Sequence, residues 1–238
     1  MKNSIILILI LVIINCTSTN NNEISLSELK KMVDEKKFEL AKKNLSDFIE
    51  TNKKNAEAYN LLGICFFELN QFKEAESNFT IALESENNYK YYYNRGNVRR
   101  ELNQLNIALE DFNKAILLNP NEADIYNNRG NLYYRMKKYN LAIRDFIKVS
   151  KLQPENEKVY LFIAKSQFLI DEFDRAISNL KKAVNMNPKY SEAFFWLGLA
   201  YHQINLRKEG CLILKKAENL GHPNAKDAIK VNCNNKLK

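Results

Sequence analysis

Small side chains recur along this chain at an almost constant interval. A first series, at intervals of 33, 34, 34 and 34 residues, consists of Gly63, Gly96, Gly130, Ala164 and Gly198. A second series follows twelve residues later and consists of Ala75, Ala108, Ala142, Ala176 and Gly210. A segment repeated at a fixed interval predicts a stack of similar units, none of which can bury its apolar side chains alone.

Larger apolar residues and prolines follow the same interval. One series comprises Phe79, Phe112, Phe146, Leu180 and Leu214. Another lies four residues before the first small series and comprises Tyr59, Tyr92, Tyr126, Tyr160 and Phe194, of which Tyr92 is predicted to be core. A third comprises Pro120, Pro154 and Pro188. Because proline lacks an amide donor and disfavours helix at the residue before it, each proline marks a helix end. The pattern predicts two helices per unit, which approach closely at the small residues.

A 34-residue period with small residues in both halves and a proline at the end resembles the tetratricopeptide repeat (TPR) family. The resemblance implies an all-α, right-handed α-solenoid of antiparallel helix pairs, a TPR superhelix with a C-terminal capping helix. We divide the array, residues 22–224, into a divergent repeat at 22–55 and repeats 1 to 5 at 56–88, 89–122, 123–156, 157–190 and 191–224. Residues 225–238 are predicted to form the capping helix and a tail.

The N-terminus has the pattern of an export signal. Lys2 precedes an apolar run of about ten residues, which as a helix would span about half of a bilayer core and so suits a signal sequence better than a membrane span. Asn15 and Cys16 follow, and this junction resembles a bacterial lipobox. The resemblance implies that residues 1–15 are a lipoprotein signal peptide, that Cys16 carries acyl chains such as palmitate, and that residues 16–21 are a tether.

Asn15 departs from the lipobox pattern, which usually has Gly, Ala or Ser before the cysteine. The alternative is an ordinary secretory signal followed by a chance cysteine. The formal net charge of +8 is compatible with an anionic neighbour such as lipid headgroups. An AT-rich genome, which favours lysine, asparagine and isoleucine codons together, explains the same charge without any partner. We expect a lipid-anchored protein of the bacterial cell envelope, on the periplasmic face of the inner or outer membrane or on the cell surface.

The glycines that could form a catalytic loop are accounted for by repeat positions and a helix end, and no catalytic motif is present in the sequence. Of the six glycines, four belong to the first small series, Gly210 belongs to the second, and Gly221 can end a helix. None remains for a phosphate-binding loop. The two histidines, His202 and His222, lie outside any metal-ligand motif, and there is no nucleophile elbow. The sequence predicts neither an enzyme nor a cofactor, metal or small-molecule substrate.

Two arginines predict structural ion pairs. Arg95 and Arg129 occupy the seventh position of repeats 2 and 3, and Asp111 and Asp145 occupy position 23 of the same two repeats. The other repeats have neither residue, and the two positions lie equally far from the turn between the helices. Arginines free to bind a ligand are the alternative. The tyrosines and arginines of residues 91–100 could also suggest nucleic-acid binding, but an exported chain is not expected to meet nucleic acid.

TPR arrays resemble one another in binding partners on the concave face, which is lined by the first helix of each pair. In repeats 2 and 3 the predicted lining is polar and comprises Tyr93, Asn94, Asn97, Arg100, Asn127, Asn128, Asn131, Tyr134 and Arg135. In repeats 4 and 5 it is apolar and comprises Leu161, Phe162, Lys165, Phe168, Phe195, Trp196, Leu199 and His202. Asparagine can both donate to and accept from a peptide backbone, and an apolar lining suits an amphipathic helix. Packing between repeats is the alternative for Phe162 and Trp196.

The remaining cysteines are predicted to be structural. Cys65 is expected to be a small core residue. Cys211 and Cys233 lie about equally far from the predicted turn near residue 221, so an antiparallel hairpin brings them opposite one another. A disulfide is possible there outside the cytoplasm, and two buried thiols are the alternative.

These patterns together predict a non-catalytic TPR lipoprotein that acts as a scaffold or adaptor. Its groove would hold a peptide or helix of another envelope protein. The alternative is a surface-exposed lipoprotein that binds host or extracellular molecules.

Overall fold

The computed structural model describes residues 24–233, so the predicted signal peptide, Cys16 and the tether lie outside the described residues. Every regular element between residues 24 and 233 is a helix. The thirteen helices are α1 Leu26–Asp34, α2 Phe38–Thr51, α3 Ala56–Glu68, α4 Phe72–Ser85, α5 Tyr89–Glu101, α6 Leu105–Leu118, α7 Ala123–Arg135, α8 Tyr139–Leu152, α9 Glu157–Phe168, α10 Phe173–Met186, α11 Ser191–Gln203, α12 Arg207–Asn219 and α13 Ala225–Cys233.

Each helix packs mainly on the helices that precede and follow it in the sequence. Further contacts join first helices of neighbouring units, such as α3 with α5 and α5 with α7. Contacts restricted to neighbouring units are the defining property of a solenoid. The predicted all-α solenoid of helix pairs is therefore confirmed, and each predicted repeat contains two helices.

The small residues allow the helices of one pair to touch. A Cβ atom added to Gly63 would lie 2.7 Å from the ring of Phe79, and one added to Gly130 would lie 2.8 Å from the ring of Phe146. Both rings are fully buried. The two periodic series thus meet in space, with each glycine making room for the aromatic ring of its own unit.

One member of the tyrosine series differs from the prediction. Tyr92, predicted to be core, is only half-buried, as is Tyr59, whereas Tyr126, Tyr160 and Phe194 are buried. The guanidinium carbon of Arg95 lies 5.7 Å from the centroid of the Tyr92 ring, and a lysine lies over the same ring. Because a phenol ring has one polar end, it is stable at the edge of the core with cations above its face.

The turns inside the helix pairs share a feature that the sequence analysis did not identify. Six residues that are not glycine have a positive φ there, namely Lys36, Asn70, Asn103, Lys137, Asp171 and Asn205. In repeat 1 the amide of Asn70 donates to the carbonyl of Phe67 (2.9 Å), and that of Gln71 donates to Phe66 (2.8 Å). This is a Schellman arrangement, which usually has glycine at the left-handed residue.

The two ends of the array are closed differently. At the N-terminal end, Ser25 caps α1 in a capping box with Glu28. Leu29 is fully buried at the position where the other repeats have a small residue. At the C-terminal end, Gly221 has a φ of +81° and ends α12, after which α13 packs on α12. No helix within residues 24–233 has the length and apolar content needed to cross a bilayer.

Candidate functional site

The arginine of repeat 2 is held inside the array rather than offered to a ligand. The Arg95 guanidinium donates to both carboxylate oxygens of Asp111, at 2.8 and 3.1 Å, and to the Thr80 hydroxyl at 3.2 Å. A second arginine, which the sequence analysis did not single out, joins this cluster: Arg99 donates to Asp111 at 2.8 Å and to Glu76 at 2.7 Å. The Asp111 side chain is only 2% exposed and contacts both arginines, and the Glu76 carboxylate supplies the second negative charge of the cluster.

Repeat 3 contains the simpler form of the same contact. Arg129 donates to the two carboxylate oxygens of Asp145 at 2.7 and 2.8 Å, and its remaining nitrogen donates to the side chain of Asn113 at 2.6 Å. Burial raises the pKa of the Asp145 carboxyl, and the hydrogen bonds and charge of Arg129 oppose that rise. Each of the two expected ion pairs therefore forms between the two helices of its own repeat.

The polar part of the groove is a network of amides, which we call the amide patch: Asn60, Asn94, Tyr93, Asn97 and Asn128. The Asn94 amide donates to the side-chain oxygen of Asn60 at 2.9 Å. The Asn128 amide donates to the Tyr93 hydroxyl and to Asn97, each at 2.9 Å. These bonds join α3 to α5 and α5 to α7. Some of the amide groups predicted to bind a peptide therefore hold neighbouring repeats together.

Asn60 was not among the predicted lining residues, although it lies 34 residues before Asn94 in the sequence. The repeat interval predicts that Asn60 contacts Asn94 only if it is already known that the fifth position of one repeat faces the sixth position of the next. That contact depends on how successive repeats stack.

The apolar part of the groove is a cluster on α9 and α11, which we call the aromatic patch: Phe168, Phe195 and Trp196 with Lys165. The ring centroid of Trp196 lies 5.3 Å from that of Phe168 and 6.2 Å from that of Phe195, both edge to face. The Lys165 ammonium lies 5.4 Å from the Trp196 centroid and 2.9 Å from a carboxylate oxygen of Glu192. All four patch residues are half-buried, so each ring keeps part of its surface accessible.

Two predicted lining residues pack elsewhere. Leu161 is only 1% exposed and belongs to the core, so its prediction as a groove residue is wrong. Full burial of a leucine side chain stabilises by about 1.5–3 kcal/mol, which favours the core position over the groove. The Phe162 ring stacks on the buried ring of Phe146 with centroids 5.4 Å apart, so Phe162 packs between repeats 3 and 4.

The C-terminal end of the groove is covered by the turn before the capping helix. The His222 ring stacks on Phe195 with centroids 4.1 Å apart. His202, predicted to line the groove, is placed differently: its ring packs against Gly210, with Nε2 3.6 Å from the sulfur of Cys211. It lies in the contact between α11 and the last helices because Gly210 leaves space for it there.

The cysteines fall into two groups. Cys211 and Cys233 are joined in a disulfide between α12 and α13, with their Cα atoms 5.8 Å apart. Cys65 is free and buried, and burial raises the pKa of its thiol to about 11. At neutral pH the Cys65 thiol is therefore protonated and unreactive.

The remaining predicted lining residues lie on α5, α7 and α11. Arg135 is exposed, and Arg100, Asn127, Asn131, Tyr134 and Leu199 are half-buried. Their contact with a partner stays a prediction.

Beside the amide patch lies an acidic depression of about 540 Å³ that the sequence analysis did not identify. Its lining includes Asn60, Tyr93 and Asn94. The charged residues around it are Asp34, Glu57, Glu86, Glu122 and Asp124, together with Lys30 and Lys90. Carboxylates therefore outnumber ammonium groups there, although the whole chain is basic.

Family models match the chain over most of this array. A model described as TPR repeat matches residues 96–137 and 167–205, and two described as tetratricopeptide repeat match residues 123–156 and 33–88. The chain belongs to the tetratricopeptide repeat family. This TPR assignment agrees with the helix pairs, the small-residue contacts and the capping helix.

A curated relative and several solved structures share this similarity. Human sperm-associated antigen 1 is 31% identical over 90 residues, which are 37% of this chain and only 10% of that protein. YrrB, a TPR protein with an unusual peptide-binding site, is 22% identical with a TM-score of 0.71, over 78% of this chain and 97% of YrrB.

Two further structures have the same fold. The C-terminal part of a TPR repeat-containing protein from Cytophaga hutchinsonii superimposes with a TM-score of 0.74 at 16% identity, over 87% of this chain and 81% of that one. MamA from Desulfovibrio magneticus RS-1 superimposes with a TM-score of 0.66 at 19% identity, over 69% and 94%. At these identities the similarity concerns the fold alone.

Proposed function

We propose that this protein is a non-catalytic TPR scaffold of the bacterial cell envelope, which is anchored by acyl chains on Cys16 and holds a peptide or helix of another protein in its concave groove. The observation that carries the proposal is the aromatic patch. Three aromatic rings that remain partly accessible on one face are a costly use of apolar surface unless a partner covers them. Aromatic residues also dominate the affinity of protein interfaces.

The groove favours a partner segment with two different ends. The acidic depression favours lysine or arginine side chains, and the aromatic patch favours apolar ones. The amide patch, three members of which line the acidic depression, offers acceptors and donors to a peptide backbone. YrrB supports the choice of a peptide ligand, since it is a TPR protein with a peptide-binding site.

The anchor follows from the sequence around Cys16. Leu26, the start of α1, lies ten positions after Cys16, so a fully extended tether would hold the start of α1 within about 35 Å of the membrane surface. Multiple acyl chains bind a membrane stably where a single chain binds only marginally.

Site-specific photocrosslinking in intact cells tests the groove. The crosslinker is placed at Asn127 near the amide patch, at Lys165 beside the aromatic patch, and at Leu117, which is 83% exposed on α6, as a control. We expect Asn127 and Lys165 to capture the same protein and Leu117 not to capture it. Trp196→Ala should abolish capture from Asn127 while circular dichroism shows the same helical content.

Equal capture from Leu117, or capture that Trp196→Ala leaves unchanged, would contradict a groove-bound partner. The anchor is tested separately by growing cells with labelled palmitate. The wild type and the Cys65→Ser control should incorporate the label, and Cys16→Ser should not. Label retained by Cys16→Ser would contradict the assignment of the anchor.

A further inference from the structure

Three side chains of the types that can ligate metals meet at the C-terminal end of the array. His202 comes from α11, Cys211 from α12 and Cys233 from α13, and their ligand atoms all lie within 4.8 Å of one another. The Nε2 atom of His202 lies 3.6 Å from the sulfur of Cys211 and 3.9 Å from that of Cys233. All three are half-buried, so the group is neither sealed in the core nor fully exposed.

The position of the imidazole is built into repeat 5. A Cβ atom on Gly210 would lie 2.7 Å from Cδ2 and 3.1 Å from Nε2 of His202. Repeats 1 to 4 have alanine at the position of Gly210, namely Ala75, Ala108, Ala142 and Ala176. Glycine replaces alanine where the histidine ring needs the space, so the ring is seated beside the two sulfurs by local packing.

The spacing of these atoms fits a tetrahedral metal. With Zn–S bonds of about 2.3 Å and Zn–N bonds of about 2.0–2.1 Å, a tetrahedral angle separates a sulfur from a nitrogen by about 3.6 Å. The two nitrogen–sulfur distances in the structure, 3.6 and 3.9 Å, are close to this value. Only the two sulfurs, which are bonded to each other, must separate, to about 3.8 Å.

Solvent reaches the cluster from one side. A depression of about 720 Å³ is lined by Cys211 and Cys233 together with Arg207, Glu209 and Asn232. It offers an entry path for an ion and room for water as a fourth ligand. Three protein ligands with water in the fourth position are the usual arrangement in catalytic zinc sites, so this ligand number is one that proteins use.

We propose that the reduced protein binds Zn²⁺ through His202, Cys211 and Cys233, and that the disulfide is the metal-free state of the same site. A dithiol reductant supplies the two electrons. One of its thiolates attacks a sulfur of the Cys211–Cys233 bond, its second thiol displaces the mixed disulfide, and the reductant leaves as its own disulfide. The two cysteine thiols then lose their protons on binding Zn²⁺, and the neutral imidazole supplies the third bond.

The test uses the purified full-length protein in detergent, either oxidised or fully reduced under anaerobic conditions. Zn²⁺ affinity is measured by competition with a chromogenic chelator, and Co²⁺ serves as a spectroscopic probe. We expect the reduced protein to bind one equivalent of each ion and to give a thiolate-to-cobalt charge-transfer band. The oxidised protein should show neither.

Matched variants locate the ligands. Cys211→Ser, Cys233→Ser, His202→Ala and His202→Gln should each weaken Zn²⁺ binding by more than about 100-fold, because loss of an outer-shell partner alone costs about 10–100-fold. Cys65→Ser and His222→Ala should leave it unchanged. The proposal is overturned if the reduced wild type binds no Zn²⁺, if the oxidised form binds equally well, or if binding survives in both His202 variants.

Discussion

Repeats 2 and 3 differ from repeats 4 and 5 at equivalent places, although the backbone follows the same pattern. Between the helices, repeat 3 pairs Arg129 with Asp145, whereas repeat 5 places Leu197 and Ile213 at the same two positions. Leu197 is buried and Ile213 packs against the same apolar cluster. Replacement of a buried ion pair as a whole by apolar residues is often neutral. The helix pair therefore accepts either a charged or an apolar contact, provided that both partners match.

The groove shows the same division. The amide patch joins the first helices of repeats 1 to 3 by hydrogen bonds, and the aromatic patch fills the equivalent surface of repeats 4 and 5. Since both surfaces rest on the same small-residue contacts, the recognition surface changes along the array without a change of scaffold.

The largest expected effect comes from breaking the ion cluster of repeat 2. Asp111→Ala leaves the Arg95 cation without a carboxylate partner and leaves Arg99 with Glu76 alone, and it should lower the free energy of unfolding by about 3–5 kcal/mol. Asn179→Ala, at the same position of repeat 4, removes a neutral hydrogen bond to Gln167 (2.9 Å) and should cost about 0.5–1.5 kcal/mol. Urea titrations followed by circular dichroism measure both. Equal losses of unfolding free energy in the two variants would contradict the proposed difference between repeats 2 and 4.

The next effect concerns the small-residue contact. Gly130→Ala brings a Cβ atom to 2.8 Å from the Phe146 ring and should cost about 1–3 kcal/mol. Repeat 4 has Ala164 and Leu180 at these two positions. Phe146→Leu should therefore cost less in the Gly130→Ala background than in the wild type, by about 1 kcal/mol in a double-mutant cycle. A coupling energy of zero would show that the glycine and the ring do not constrain each other.

A turn variant should have a smaller effect. Lys137 has a φ of +57° in repeat 3, a conformation that glycine adopts without steric cost. Lys137→Gly should stabilise the protein by up to about 1 kcal/mol. Asp171→Gly, at the equivalent turn of repeat 4, should gain less, because aspartate tolerates left-handed backbone better than lysine. Thermal melting compares the two, and a larger gain at Asp171 would refute this explanation.

The smallest change is expected when both members of a pair are exchanged. Arg129→Leu with Asp145→Ile gives repeat 3 the apolar residues of repeat 5. The double variant should stay within about 1 kcal/mol of the wild type, although Asp145→Ala alone should cost about 3 kcal/mol or more. If the double variant loses as much as the single one, the ion pair is required for the fold and the two contacts are not equivalent.

The sequence predicts features that lie within one repeat better than features that span several. Arg95 with Asp111 could be paired because both occur together at positions equally far from one turn. The Asn94–Asn60 bond depends on the stacking of two repeats, and the acidic depression is lined by residues that range from Lys30 to Asp124. Leu161 occupies a position of the repeat that is predicted to line the groove, but packing against neighbouring helices buries it. The turn residues with a positive φ are lysine, asparagine or aspartate, so the sequence has no glycine at these positions to indicate left-handed backbone.

The central claim is that the groove binds the partner and that the aromatic patch contributes most of the affinity. The direct test measures how strongly the protein captured by crosslinking binds purified Trp196→Ala, Asn97→Ala and Leu117→Ser variants of unchanged helical content. Trp196→Ala should weaken binding by about 30-fold or more, a loss typical of a central aromatic residue, and Asn97→Ala by less than about tenfold. Leu117→Ser should bind like the wild type. Full affinity in Trp196→Ala, or a loss confined to Leu117→Ser, would contradict the account.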